Sequence, residues 1–296
     1  MDRLFGGLEA GGTKCVCAVG TGPDDVRAET RFPTTTPAAT LARAVEFFRA
    51  QAARTPLAAI GVACFGPLDL DPASPSLGSI TTTPKVGWRD VDVVGPLRRG
   101  LPVPVMIDTD VNGAALAEHR WGSGRGVSSL VYVTVGSGIG GGALVHGRPV
   151  HGLVHPEMGH VRVPHDRARD PFPGLCPHHG DCLEGLASGP ALAARWGQDP
   201  AMLPDEHPAW DLEADYLALG LASVVLVLSP ERLVLGGGVM RRPRLYPLIR
   251  TKLADILAGY LRTPALGQAI DGYVVAPMLG DRAGVLGALA LAQTAE

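Results

Sequence analysis

The sequence predicts an α/β protein of two similar lobes, each a mixed sheet with helices on it. Three observations predict it. Apolar runs of strand length alternate with segments of helical period along most of the chain. A strand, a glycine turn and a second strand occur as GGLEA-GGT-KCVCAV near the start. The same arrangement recurs as VYVTV-GSGIGG-GALVHG roughly half the chain later. The chain has 296 residues, 46% of them hydrophobic, enough to bury one large core or two modest ones.

Each element has a local reason. LFGGLEA (4–10) and CVCAVG (15–20) read as strands joined by a tight turn, and VRAETRF (26–32) as a third. TPAATLARAVEFFRAQ (36–51) starts with a Thr36 cap and Pro37 at the first helical position, then runs with helical period. LAAIGVAC (57–64) and VPVMID (103–108) are apolar runs of buried-strand length, and the stretch 69–88 between them is loop-like. TDVNGAALAEHRW (109–121) is a helix with polar residues in its first turn. SLVYVTV (129–135) is a strand, GSGIGGG (136–142) a turn, and ALVHGRPV (143–150) another strand. Residues 155–185 lack periodicity. Helices are expected at about 183–195, 213–228 and 244–258, strands at RLVLGGG (232–238) and YVVAP (273–277), and a closing helix at 283–293.

Composition excludes several classes. The net charge is −3 and no Lys/Arg block exists, so no nucleic-acid partner is expected. The longest apolar run, 217–229, is too short to cross a bilayer, so no membrane partner is expected. The N-terminus shows no basic, apolar and cleavage regions of a signal peptide. Five cysteines without a disulfide framework fit a reducing, cytoplasmic home.

The glycines carry chemistry. Gly136, Gly138 and Gly141 fit G-x-G-x-x-G after a strand, but a strand follows where a dinucleotide fold needs a helix. What remains is a hairpin tip whose bare backbone N–H groups can approach an anion, set against an ordinary tight hairpin. Two such tips at corresponding places, one carrying Thr13 and Lys14, favour the anion. LGGGVM (235–240) follows a strand and offers bare backbone to a flat ring, or is a plain strand-to-helix connection.

Taken in order, EAGGTK, TDVNGAALAE, GSGIGGG, PEMGH, CPHHGDCLEG and LGGGVM resemble the ROK family of bacterial sugar kinases over essentially the whole chain. TPKVGW and CPHHGDC look most like its zinc-containing fructokinase branch. The resemblance implies the two-lobed, actin-like (ribonuclease-H-like) ATPase fold, with ATP and sugar in the cleft between lobes. The expected lobes are 1–108 with 281–296, and 109–280. The resemblance also implies a homodimer.

Phosphoryl transfer gives each motif a job, because catalysis there is mostly positioning and charge stabilisation. Gly11, Gly12, Thr13 and Lys14 would hold phosphates from one lobe, and Gly136, Ser137 and Gly138 from the other. Gly236, Gly237 and Gly238 would take the adenosine. Glu9 stands where many members have Asp; it keeps the charge toward Mg²⁺ with a longer reach. Asp110 stands where the family keeps the base that accepts the sugar hydroxyl proton. On the residues alone it is equally an N-cap aspartate, with Asp108 as competitor. Many members have Asn at Thr109, which puts glucokinase activity in doubt. Lys85, in TPKVGW, lies near a loop that often shapes sugar choice, or is a solvated lysine.

Cys176, His179 and Cys182 have C-x₂-H-x₂-C spacing, and His160 precedes them. Four N/S ligands make a closed tetrahedral Zn²⁺ site with no open position, so the expected zinc is scaffold rather than catalyst. His178 and His165 are spare donors, and spacing alone does not separate His178 from His179. Glu157 and Glu184 bracket the cluster as expected sugar-hydroxyl acceptors, and His160 is placed to do double duty toward sugar. The expected reaction is MgATP-dependent phosphorylation of a hexose, most simply D-fructose to fructose 6-phosphate, with glucose, mannose or an N-acetylhexosamine as alternatives. A sugar-sensing repressor of the same body would need a DNA-binding module ahead of residue 1, where this chain opens on its first strand.

Overall fold

The computed structural model describes residues 3–295, so the expected lobe ends at 1 and 296 lie outside the described residues. It divides into two compact units. The first comprises Met1–Gly126, Gly142–Pro156 and Met278–Glu296; the second comprises Val127–Gly141 and Glu157–Pro277.

The first unit opens with β1 (Leu4–Ala10), β2 (Lys14–Gly22) and β3 (Asp25–Pro33), an antiparallel run. Then come α1 (Pro37–Ala52), β4 (Leu57–Cys64), the short ribbon β5 (Ser79–Ile80) and β6 (Val91–Asp92), and α2 (Val94–Gly100). The Thr36 side chain accepts from Ala39 N, so the expected cap is present. β7 (Val105–Thr109) leads into α3 (Asp110–Trp121). The sheet order is β3-β2-β1-β4-β7, with β4 parallel to β1 and β7.

Both faces of this sheet are buried, and the side chains alternate between them. Leu8, Cys17, Ile60 and Val62 join Phe48 and Leu97 in one cluster. Phe5, Val16, Ala18 and Ala59 face the closing helix through Val285, Leu286 and Leu289.

In the second unit β8 (Leu130–Val135) leads into β9 (Ile139–Val145), which runs on into the first unit and the short β10 (Arg148–Pro149). α4 (Leu183–Ala187), α5 (Gly189–Trp196), α6 (Ala209–Leu228), β11 (Arg232–Gly236), α7 (Leu245–Leu257), α8 (Ile270–Tyr273) and β12 (Val274–Val275) follow. α9 (Ala283–Ala292) closes the chain. The second sheet is ordered β10-β9-β8-β11-β12. Strand for strand this repeats the first, so the duplicated hairpin in the sequence marks a duplicated topology.

Several expectations change in detail. The strand expected over 143–150 is interrupted by a two-residue turn. His146 (φ 51°) and Gly147 (φ 71°) both take the left-handed conformation that a tight hairpin requires. The glycine turn is shorter than 136–142, because β9 already begins at Ile139. The helix expected over 183–195 is two helices. Ser188 is extended (φ −73°, ψ 159°) and caps α5, since Pro190 cannot continue a helix from the preceding turn. YVVAP pairs only over Val274–Val275. The units also divide the chain elsewhere than at 108/109. α3 packs with α9, β4 and β7 and so stands in the first unit.

That packing depends on absent side chains. A Cβ on Gly61 would collide with the carbonyl oxygen of Ala288, and one on Gly287 with the backbone of Gly113. α9 therefore lies directly on β4 and α3. Gly61→Ala is expected to destabilise the fold by about 2–3 kcal/mol, because the backbone it strikes cannot move aside. Gly12→Ala, whose Cβ meets open space, is the control with little effect. Thermal midpoints of the two variants check this.

Candidate functional site

In the first unit, the turn between β1 and β2 is closed by Gly11 N donating to Lys14 O at 3.0 Å. Thr34 clamps it from the side: its N donates to Thr13 O at 2.9 Å and its hydroxyl to Gly11 O at 2.7 Å. Gly12 and Thr13 stay exposed, and Lys14 is half-buried. Phe65 N donates to Ala10 O, fixing the end of β1. The result is a rigid, uncovered tip of backbone, suited to an anion.

Glu9 lies at the base of this tip, and the missing side chain of Gly284 leaves room for its carboxyl group. Burial pushes its pKa up to about 7; Lys14 opposes this, while the charges of Asp110 and Asp281 add to it.

The three residues at the β7–α3 junction divide their duties. Thr109 is the N-cap, extended at φ −63°, ψ 153°, with its hydroxyl accepting from Asn112 N at 3.1 Å. Asp108 is 2% exposed and accepts from Thr109 N (2.7 Å), Asn112 Nδ2 (2.8 Å) and His151 Nε2 (3.0 Å). Asp110 is the first helical residue, half-buried, with Oδ1 accepting from Val111 N at 2.9 Å. So Asp110 is not the cap of its own helix, and Asp108 is enclosed by donors.

Lys85 sits on a loop anchored by Trp88, which is fully buried. The indole donates to Thr35 O at 2.9 Å and packs edge-on against Phe65, 5.3 Å between ring centres. Thr35 and Phe65 adjoin the residues that fix the glycine tip.

In the second unit, the corresponding turn is closed by Gly136 N donating to Gly138 O, and Gly189 N donates to Gly136 O, both 2.8 Å. Ser137 is exposed. Glu184 braces this turn: its Oε2 accepts from Ile139 N at 2.9 Å. After β11, Gly237 takes φ +93° and Gly238 faces open space, giving the bare loop expected at 236–238. Glu157 retains exposed surface, yet protein crowds its carboxyl group. That desolvation and the neighbouring charge of Glu184 push its pKa up to about 7. The two glutamates expected to face sugar are thus within electrostatic reach of each other.

The cysteine–histidine cluster converges. Donor atoms of His160, Cys176, His179 and Cys182 all lie within 4.8 Å of one another. Cys176 Sγ stands 3.8 Å from His160 Nδ1 and 3.5 Å from His179 Nδ1, and Cys182 Sγ stands 3.6 Å from His160 Nδ1. Donors about 2.0–2.3 Å from a tetrahedral zinc are about 3.3–3.8 Å apart, the range of these three separations, and the widest pair, within 4.8 Å, would close by at most about 1 Å around the ion. His179, not His178, joins the set. His165 is instead taken up by Asp181 Oδ2 (3.2 Å) and the carbonyl of Asp170 (2.9 Å). All five cysteines are free, so 176 and 182 are not joined. His160 turns Nδ1 to the sulfurs, which leaves Nε2 for another partner.

Sequence reasoning missed Thr34, Asn112, His151 and the bond from Glu184 to the glycine turn. None carries a local signal, because each meets a partner distant in sequence or looks like ordinary helix content.

The profile of the ROK family matches residues 5–295. The chain belongs to the ROK family. Curated relatives include the fructokinase of Zymomonas mobilis, 46% identical over 299 residues (99% of this chain, 98% of the relative). The fructokinase of Pediococcus pentosaceus is 39% identical over 292 residues, at the same coverage. Among solved structures, a ROK hexokinase from Thermus thermophilus superposes with a TM-score of 0.78 at 28% identity, covering 99% of both chains. A ROK-family glucokinase from Streptomyces griseus, in complex with glucose and AMPPNP, gives 0.73 at 24% identity over 98% of this chain and 99% of its own. The observed architecture is therefore the actin-like ATPase fold of ROK sugar kinases.

Glu9 predicts a pH signature. Its native pKa of about 7 exceeds the ordinary 4.5, so the folded state alone holds this proton between those values. Its contribution to stability is full below about pH 4.5 and is lost as pH rises through 7, to about 3 kcal/mol. Glu9→Gln removes this dependence. The melting-point difference between variant and wild type should grow in the variant's favour from pH 5 to pH 8; a constant difference would contradict it.

Proposed function

We propose that this protein is an ATP-dependent fructokinase, transferring the γ-phosphoryl group of MgATP to D-fructose to give fructose 6-phosphate. The observation that carries the reading is full-length similarity to fructokinases from several organisms at 38–46% identity. A glucokinase of Halalkalibacterium halodurans is 28% identical over 79% of this chain, a lower similarity that supports ranking glucose behind fructose.

In this reading the amides and side chains of Gly11, Gly12, Thr13 and Lys14, with Gly136, Ser137 and Gly138, bind the phosphates. Gly236, Gly237 and Gly238 receive the adenosine. Glu9 is the carboxylate that would face Mg²⁺ brought with ATP, an ion that would supply neutralisation of the phosphate charge. Glu157, Glu184 and Nε2 of His160 accept or donate hydrogen bonds to the sugar, and Lys85 lies on a substrate loop. Asp110 accepts the proton of the attacking hydroxyl as the new P–O bond forms and the bond to ADP breaks. His160, Cys176, His179 and Cys182 would hold Zn²⁺ as scaffold, since four protein donors would leave no open position for a reacting water. Held so, they would fix the irregular loop between Glu157 and Glu184. We place the protein in the cytoplasm as a homodimer, in line with its free cysteines and family.

Three measurements test this. ADP release over a panel of hexoses should be fastest with fructose; a preference for another hexose would reassign the substrate. Asp110→Asn should lower kcat by about 10²–10⁴-fold while leaving ATP affinity nearly unchanged; retained kcat would refute the base. Elemental analysis should find one zinc per chain. Chelation should make 155–185 sensitive to protease; a zinc-free protein with an intact loop would refute the scaffold.

A further inference from the structure

Asp108 is a buried carboxylate outside the reacting set, and such a group is costly unless donors surround it. Two of its donors, Thr109 N and Asn112 Nδ2, come from its own helical turn. The third, His151 Nε2 at 3.0 Å, comes from 43 residues away. His151 has a side chain 44% exposed, whereas that of Asp108 is 3% exposed. His151 opens the segment 151–156 that leaves β10 and runs directly into Glu157. At the other end of the segment, His155 is buried, and its Nε2 accepts from Leu68 N at 2.9 Å. Between the two ties, Gly152 N donates to Val154 O at 3.1 Å. The Leu153 and Val154 side chains there are 100% and 61% exposed. Two histidines thus set the path of this strap, one on Asp108 and one on Leu68.

We propose that His151 is a positioning residue for the sugar acceptor: its bond to Asp108 fixes the strap 151–156, which delivers Glu157, upon the same carboxylate that shapes the helical turn carrying Asp110. His151 touches neither phosphate nor the reacting hydroxyl. Its loss leaves Asp108 two local donors, so α3 keeps its first turn and Asp110 its place, while the strap loses one of its two anchors. The effect therefore falls on sugar binding rather than on the chemical step. The bond joins a charged, desolvated acceptor, which makes it stronger than a surface ion pair.

The part concerning sugar rests on the fructokinase reading, so the test has one arm that does not. In the ligand-free full chain, hydrogen exchange at 150–156 should quicken in His151→Leu, and stay near wild type in His151→Gln, whose amide can still donate. With substrates, His151→Leu should raise KM for fructose by about tenfold or more with kcat within about threefold, and leave KM for MgATP unchanged. His151→Gln should recover most of that loss. Unchanged exchange in His151→Leu overturns the proposal. So does a fall in kcat at constant KM, which would place His151 in the chemistry. If exchange quickens but the wild type does not phosphorylate fructose, the functional reading fails and the role toward sugar falls with it.

Discussion

In the proposed mechanism, a carboxylate that takes a proton from the substrate cannot also be spent on closing its own helix. The β7–α3 junction meets that constraint by giving three consecutive residues three different tasks. Thr109 caps the helix through its hydroxyl, Asp108 gathers buried donors, and Asp110 stands at the first helical position with its carboxyl half-buried. At that position an acid also benefits from the positive end of the helix. Because Thr109 is the cap, Asp110 is not the residue that closes the helix, although its Oδ1 accepts from the adjacent Val111 N at 2.9 Å.

The rest of the first unit supports this junction. β7 is the edge of the sheet beside β4, and α3 lies against α9, which reaches β4 only because glycines remove the side chains in between. The same sheet holds the glycine tip at the same end, since Ala10 pairs with Cys64 and Cys64 with Thr109, and Thr34 and Phe65 brace that tip. The second sheet repeats the five-strand order and the tip, but braces it with the carboxylate of Glu184 instead of a threonine. The duplicated scaffold has thus been specialised by which side chain supports each turn.

Much of this was legible in the sequence. Thr36 and Pro37 announce α1, and the alternating apolar runs give β1, β2, β4, β7 and β8, because caps and periodicity are local properties. Cys176, His179 and Cys182 were legible as a convergent donor set, because two thiols and an imidazole at short spacing have few other uses. The break at Ser188 was readable in retrospect from Pro190. The turn at His146 was not, because a histidine in the left-handed region carries no signal of its own. The bonds from His151 to Asp108, Glu184 to Ile139 and Thr34 to Gly11 span 43, 45 and 23 residues. Such pairs are created by the topology and have no periodic trace. His179 over His178 was likewise decided by the direction of the chain, not by spacing.

The central claim is that Asp110 serves chemistry and not the fold. The most direct measurement is the ligand-free thermal stability of Asp110→Asn beside that of Thr109→Ala. The account predicts that Thr109→Ala loses about 1 kcal/mol, the usual worth of an N-cap, while Asp110→Asn loses clearly less, roughly the few tenths of a kcal/mol that an acid gains at a helix N-terminus. A loss in Asp110→Asn as large as that in Thr109→Ala would show that Asp110 is holding the helix, and would contradict the account.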